Sequence, residues 1–456
     1  MIFTQYYLDC LSQASYLIAD ETSRKAVIVD PRRDIDDYLT DTRDADLDII
    51  GIINTHFHAD FVSGHLELAR ATGAWIGYGH HATPEFDIRP LHHGDRIDLG
   101  DLQLDILETP GHTPESISIL VHEHADDPTP YGVLTGDALF IGDVGRPDLL
   151  ASEGNTADEL ARKLYHSIQK TLMGLPDEVR VFPAHGAGSA CGKNLSTEKQ
   201  STIGEQRRTN YACAPMSEDD FVAIVTEGQP AAPAYFSFDA TLNKQQRPVL
   251  DPHATIPALT DEQIDNALAD GAVVHDARPA PDYTAGHLQG SVSVPTDGRM
   301  AETAGMLFAP RQRFVLATPE GLEQDTAMRL SRIGYDQVIG YIPQIEEYLA
   351  RHAAHVAHAA KVPADHTDQL GADTQLLDIR NPGEVAQGMI PGANHIPLPQ
   401  LAERHHELDP TRPTVVYCAG GWRSHVGASY LRSRGFTDVA DITGGYNAWA
   451  AEHQKA

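Results

Sequence analysis

Residues 49–64 read "IIGIINTHFHADFVSG". An apolar run suited to a strand ends at Asn54, and the chain then delivers His56, His58 and Asp60 within five positions before Phe61. Imidazoles and a carboxylate crowded at a strand end are metal-type side chains, held by a rigid element and presented on a loop. Working outward, other apolar runs end the same way. "LQLDILETPGH" alternates Leu102, Leu104 and Ile106 before His112, "YGVLTGD" ends on Asp137, and "VRVFPAH" ends on His185. Strands that each finish on such a residue, interspersed with helical stretches, predict a layered α/β fold with a metal centre built from their C-terminal ends.

The second half carries a repeat. "DARPAPDYTAGHLQGSVSVP" starts at Asp276 and "DIRNPGEVAQGMIPGANHIP" at Asp378, and Asp276/Asp378, Arg278/Arg380, Asp282/Glu384, Gly286/Gly388 and Pro295/Pro397 all stand 102 residues apart. Further on, Leu330/Leu431, Gly334/Gly435 and Val338/Val439 stand 101 apart. Two copies make a duplicated domain and not a solenoid, which needs more. The stretch between them, "LARHAAHVAHAAKVPADHTDQ" at 349–369, shows no strand pattern and reads as a helix end plus linker with solvated histidines. The expected division is 1–245 for the metal domain, 246–352 and 366–456 for the two copies, and 353–365 for the linker.

Bulk properties narrow the function. A length of 456 residues exceeds one ordinary core. A net charge of −31 repels phosphate backbones, so nucleic acid is not an expected partner. No run is apolar and long enough for a membrane span, and the opening residues lack a secretory pattern, so the expected location is the cytoplasm. Cys10, Cys191, Cys213 and Cys418 are scattered with no paired spacing, so any cysteine that matters works singly.

"THFHAD", "TPGHTPES", "LTGDALF" and "FPAHG" resemble the successive metal motifs of the metallo-β-lactamase superfamily. "LFIGDVGRPDL" and "LYHSI" bring the likeness closest to its persulfide dioxygenase branch. The resemblance implies an αββα sandwich. It also implies a metal held by His56, His112 and Asp137, with His58, Asp60 and His185 orienting ligands and water around it. In the hydrolase branches a further histidine follows the aspartate and helps to hold a second zinc; here Phe61 stands there and cannot ligate. The expectation is one Fe(II) per chain, since two histidines and one carboxylate leave open positions for dioxygen and a sulfur ligand. Arg146, in "GDVGRPD", would face the anionic part of a thiol carrier or else brace its loop by a salt bridge. Cys191, in "GAGSACGK", would approach the pocket and accept sulfur, or else be a small buried cysteine.

In the second copy, "PTVVYC" ends at Cys418 and "AGGWR" opens a helical stretch, a setting whose backbone N–H groups activate a thiol and hold an anion. "CAGGWRS" and the upstream D-x-R pattern resemble a rhodanese domain. That resemblance makes Cys418 the sulfur carrier, Arg423 its charged partner, and Gly420, Gly421 and Trp422 the substrate-binding loop. In the first copy an offset of 101 puts Ala317 in the place of Cys418 and Leu322 in that of Arg423, so this copy is expected to be inactive.

The implied whole is an αββα metallo-β-lactamase-type domain followed by two rhodanese-like α/β domains. It would oxidise low-molecular-weight persulfides with O2 to sulfite and exchange sulfane sulfur with sulfite or thiosulfate. The rivals are a glyoxalase II-like thioester hydrolase with a sulfurtransferase tail and a non-enzymatic sulfur carrier. Homo-oligomerisation is left open.

Overall fold

The computed structural model describes residues 1–149, 154–229 and 231–453. The chain divides into two compact units, Met1–Ala232 with Phe236–Pro252, and Pro233–Tyr235 with His253–Ala456.

The first unit is built on two six-stranded sheets. One runs in simple chain order, Ile2–Leu8, Gln13–Ala19, Lys25–Val29, Asp48–Ile53, Trp75–Gly79 and Arg89–Leu91; the other holds Arg96–Asp98, Gln103–Glu108, Ile117–His122, Gly132–Gly136, Arg180–Pro183 and Ser201–Thr202. Side chains alternate across a strand, and the sequence obeys this. Ala14, Tyr16 and Ile18 join Val27, Val29 and Ile53 in a core that meets Leu104, Ile106, Ile119 and Leu134 of the other sheet. Leu17, Ala26, Ile28 and Ile52 point the other way, under helices Asp36–Asp44 and His65–Thr72 through Tyr38, Leu66 and Leu68. Helices Ala157–His166 and Glu218–Thr226 cover the second sheet with Ala161, Leu164, Phe221 and Val225. The result is the expected α-β-β-α layering.

The expected border at 245 falls inside a segment that belongs to this first unit. Arg247 forks Glu67 at 2.5 and 2.9 Å, both side chains buried, and Asn243 bonds into the loop after Asp48–Ile53. These long-range bonds carry the unit on to Pro252.

The second unit contains both repeat copies, which are not separate bodies as the sequence division implied. The first has a parallel sheet in the order Val292–Ser293, Val273–Asp276, Phe314–Ala317, Val338–Tyr341; the second has five parallel strands in the order Ala360–Val362, Val439–Ile442, Thr414–Tyr417, Gln375–Asp378, Asn394–His395. Two expectations change. The supposed linker holds strand Val356–Ala357, paired with His287–Leu288, and Ala360–Val362, paired with Val439–Ile442. Each is two or three residues long, too short to show a period in the sequence. The register also moves the nucleophile position. Asp276 pairs with Ala317 and Asp378 pairs with Tyr417, so the counterpart of Cys418 is Thr318 and not Ala317.

Candidate metal centre and thiol loop

Three strand ends deliver three side chains to one point. His56 Nε2, His112 Nε2 and an Asp137 carboxylate oxygen lie within 4.8 Å of one another, and all three residues are buried. Their remaining polar atoms are already engaged. Thr55 Oγ1 donates to Asp30 at 2.9 Å, so it accepts from His56 Nδ1–H at 3.0 Å. His112 Nδ1–H donates to the Arg146 carbonyl at 2.9 Å, and Asp137 Oδ1 accepts from His185 Nδ1–H at 2.7 Å. His56 Nε2 and Asp137 Oδ2 are left without a hydrogen-bond partner. His112 Nε2 stands 3.5 Å from that same Oδ2. Each imidazole is thus fixed in the tautomer that aims a lone pair inward. Buried polar atoms without partners are rare unless something unseen satisfies them, and two imidazoles with one carboxylate fit a divalent transition metal.

Electrostatics agree. Burial drives His56 well below its ordinary value, and the neighbouring His58 pushes the same way, so it is a neutral donor. Burial opposes ionisation of Asp137, but His185 and His56 overcome it and hold the carboxyl far below the usual range. Close approach has a backbone cost: Gly136 is left-handed at φ +52°, and a Cβ there would lie 2.7 Å from the Thr55 side chain.

The other expected residues surround this trio. His58 Nε2 bonds Asp30 at 2.9 Å and its ring lies 4.2 Å from that of His56, outside the cluster of three. Asp60, His185 and Cys191 form a second buried group, also within 4.8 Å. His185 Nε2 is 2.6 Å from Asp60, so this ring bridges two carboxylates. Burial works against its charge, yet Asp137 and Asp60 raise it well above its ordinary value. Phe61, 1% exposed, packs its ring 4.4 Å from that of His58. Cys191 does reach the pocket, but burial and then Asp60 and Asp137 push its thiol well up, which makes it a poor nucleophile. Arg146 does not face a ligand. Its guanidinium forks Asp148 at 2.8 and 2.7 Å, two residues on, and its carbonyl steers His112.

Sequence reasoning missed three supports. Asp30, left-handed at φ +52°, accepts from Thr55 N, Thr55 Oγ1 and His58; its signal was a carboxylate at the end of the Lys25–Val29 strand. Glu115 accepts from Phe57 N at 2.9 Å. Asn243, fully buried, donates to the carbonyls of His58 and Phe61 and accepts from Ser63 N, each at 2.8 Å. No local pattern announces Asn243.

In the second unit, Cys418 closes the Thr414–Tyr417 strand and is fully buried. Its sulfur accepts from Gly421 N at 3.1 Å and Ser424 N at 3.3 Å. Gly421, at φ +104°, turns the chain into helix Trp422–Ser433, and Gly420 leaves open space beside it. Arg423 forks Glu384 at 2.8 and 2.7 Å, so its charge is already paired within the domain. Burial opposes ionisation of Glu384, and Arg423 prevails to hold that carboxyl low.

The metallo-beta-lactamase superfamily pattern matches residues 8–185 and the rhodanese-like domain pattern matches 362–452. Over 218 residues the chain is 30% identical to the mitochondrial persulfide dioxygenase ETHE1 of Mus musculus, covering 46% of this chain and 75% of that protein. It is 29% identical over 244 residues to a beta-lactamase hydrolase-like protein of Xylella fastidiosa, spanning 47% of this chain and 52% of that longer relative. The crystal structure of a metallo-beta-lactamase from Staphylococcus aureus superposes with a TM-score of 0.68 at 33% identity, covering 75% of this chain and 99% of that one. The chain belongs to the metallo-beta-lactamase superfamily, and it joins a domain similar to persulfide dioxygenases to a C-terminal rhodanese-like domain.

Proposed function

We propose that this protein is an iron-dependent persulfide dioxygenase coupled to a sulfurtransferase. The observation that carries the reading is the trio of inward lone pairs on His56, His112 and Asp137, beside a second position closed by Phe61 and by His185 clamped between two carboxylates. His56, His112 and Asp137 would hold the metal. Bound there, Fe(II) supplies the redox chemistry that joins dioxygen to the terminal sulfur of a persulfide, with open coordination positions for both. The balance is R–S–SH + O2 + H2O giving R–SH, sulfite and two protons.

The chain's own residues do the rest. Thr55 and the Arg146 carbonyl fix the two imidazole tautomers, and His185 holds Asp137 ionised and oriented. Asn243 and Asp30 keep the 55–63 loop in place. At the other site, Cys418 carries sulfane sulfur between the N–H groups of Gly421 and Ser424, and its persulfide passes the outer sulfur to sulfite, giving thiosulfate and free thiolate. The reverse direction uses the same groups.

A dinuclear thioester hydrolase is the second reading, favoured by the Asp60, His185 and Cys191 group. Oxygen uptake with a low-molecular-weight persulfide separates the two. Uptake matched by sulfite plus thiosulfate supports the dioxygenase, and thioester hydrolysis without uptake supports the rival.

A further inference from the structure

The helix Trp422–Ser433 begins at the Cys418 loop and turns one face to the first repeat copy. Trp422, His425 and Ser429 stand three and four residues apart, and so share a side of the helix. Each of them bonds to the copy that lacks a cysteine. His425 Nε2 pairs with Ser293 Oγ at 2.9 Å in a buried contact, and the His425 ring meets Tyr283 edge-on at 5.4 Å. Ser429 Oγ accepts from Ser293 N at 2.9 Å and returns its own proton to Ser293 O at 3.3 Å or Val426 O at 2.7 Å. Trp422 Nε1–H donates to Asp297 at 3.3 Å, and Gly298 leaves the indole room, since a Cβ there would lie 3.4 Å from it.

Strand Val292–Ser293 is the edge of its sheet. Edge strands expose unpaired backbone groups that another strand would seek. Here helix side chains satisfy Ser293 instead. The same helix supplies Ser424 N, and its preceding turn supplies Gly421 N, the two donors on the Cys418 sulfur. Where the helix sits therefore decides where those donors point.

We propose that the first copy is the mount of the thiol loop. Asp297 and Ser293 are positioning residues for sulfur transfer at Cys418, holding Trp422 at the loop mouth and the helix behind it. This rests on the sulfurtransferase reading above, and it assigns a role to a domain that has no nucleophile of its own.

The test uses full-length protein carrying 15N-labelled tryptophan, of which the chain has three; Trp422→Phe assigns the indole resonance. Asp297→Ala should shift the Trp422 indole N–H signal and raise KM for the sulfur acceptor roughly three- to tenfold, the weight of one hydrogen bond. Turnover at saturation and oxygen uptake should be unchanged. Asp297→Asn keeps an acceptor oxygen and should restore both signal and KM. Ser429→Ala should raise KM in the same direction. An unmoved indole signal with unmoved KM in Asp297→Ala overturns the proposal, and so does a KM rise that Asp297→Asn leaves uncorrected. A wild-type chain that transfers no sulfur would overturn the sulfurtransferase reading and the catalytic part of this proposal with it, while the indole signal would still decide the mounting.

Discussion

His185 donates Nδ1–H to Asp137 at 2.7 Å while its other nitrogen lies 2.6 Å from Asp60. One ring therefore orients the carboxylate of the metal trio and ties it to the loop that bears His56 and His58. Groups that orient a ligand typically change metal affinity about 10–100-fold when lost. His185→Leu is expected to lower affinity by that factor, read by chelator competition, while the circular dichroism spectrum stays native.

Acid stability turns on Glu67. Burial works against its ionisation, yet Arg247 and Arg33 hold it at about 2. The folded pKa lies below the unfolded one, so the stabilisation is fully present above about pH 4.5 and is lost as pH falls through about 2. At about 1.4 kcal/mol per unit, the wild type should lose roughly 2 kcal/mol more than Glu67→Gln between pH 7 and pH 3. Urea unfolding at the two pH values measures it. Equal losses would remove Glu67 from the account.

Thr318 occupies the nucleophile position of the first copy by sheet register. Thr318→Cys in a Cys418→Ser background should still fail to transfer sulfur. Pro319 offers no N–H, and Glu320 and Glu323 put negative charge where an anionic acceptor would have to bind. Rapid transfer by that double variant would contradict this.

The metal trio was legible in the sequence because His56, His112 and Asp137 each follow an apolar strand directly, and strand ends are read locally. Asp30 and Asn243 were not. Their partners lie 25 and about 180 residues away, and no period in the sequence carries such a pairing. Arg146 was misread as ligand-facing because a guanidinium shows its charge but not its direction, although Asp148 stood two residues on. The repeat was visible from its glycines and D-x-R motifs. Its register near Cys418 was not, since identities on either side of a loop cannot say where within it the length changes; strand pairing does.

Coupling of the two sites is tested by Cys418→Ser, which keeps the loop but lacks a sulfur-carrying nucleophile. Oxygen uptake should stay close to wild type, and the product should change from thiosulfate to sulfite, as read by thiol-labelling chromatography. Thiosulfate at the wild-type ratio would break the coupling scheme.

The central claim is a single redox metal at His56, His112 and Asp137. Metal analysis of the purified chain, run beside oxygen uptake on the same preparation, tests it most directly. The account predicts about one iron per chain, uptake of dioxygen with a persulfide, and loss of both in His112→Ala. About two zinc ions per chain, with thioester hydrolysis and no oxygen uptake, would contradict it.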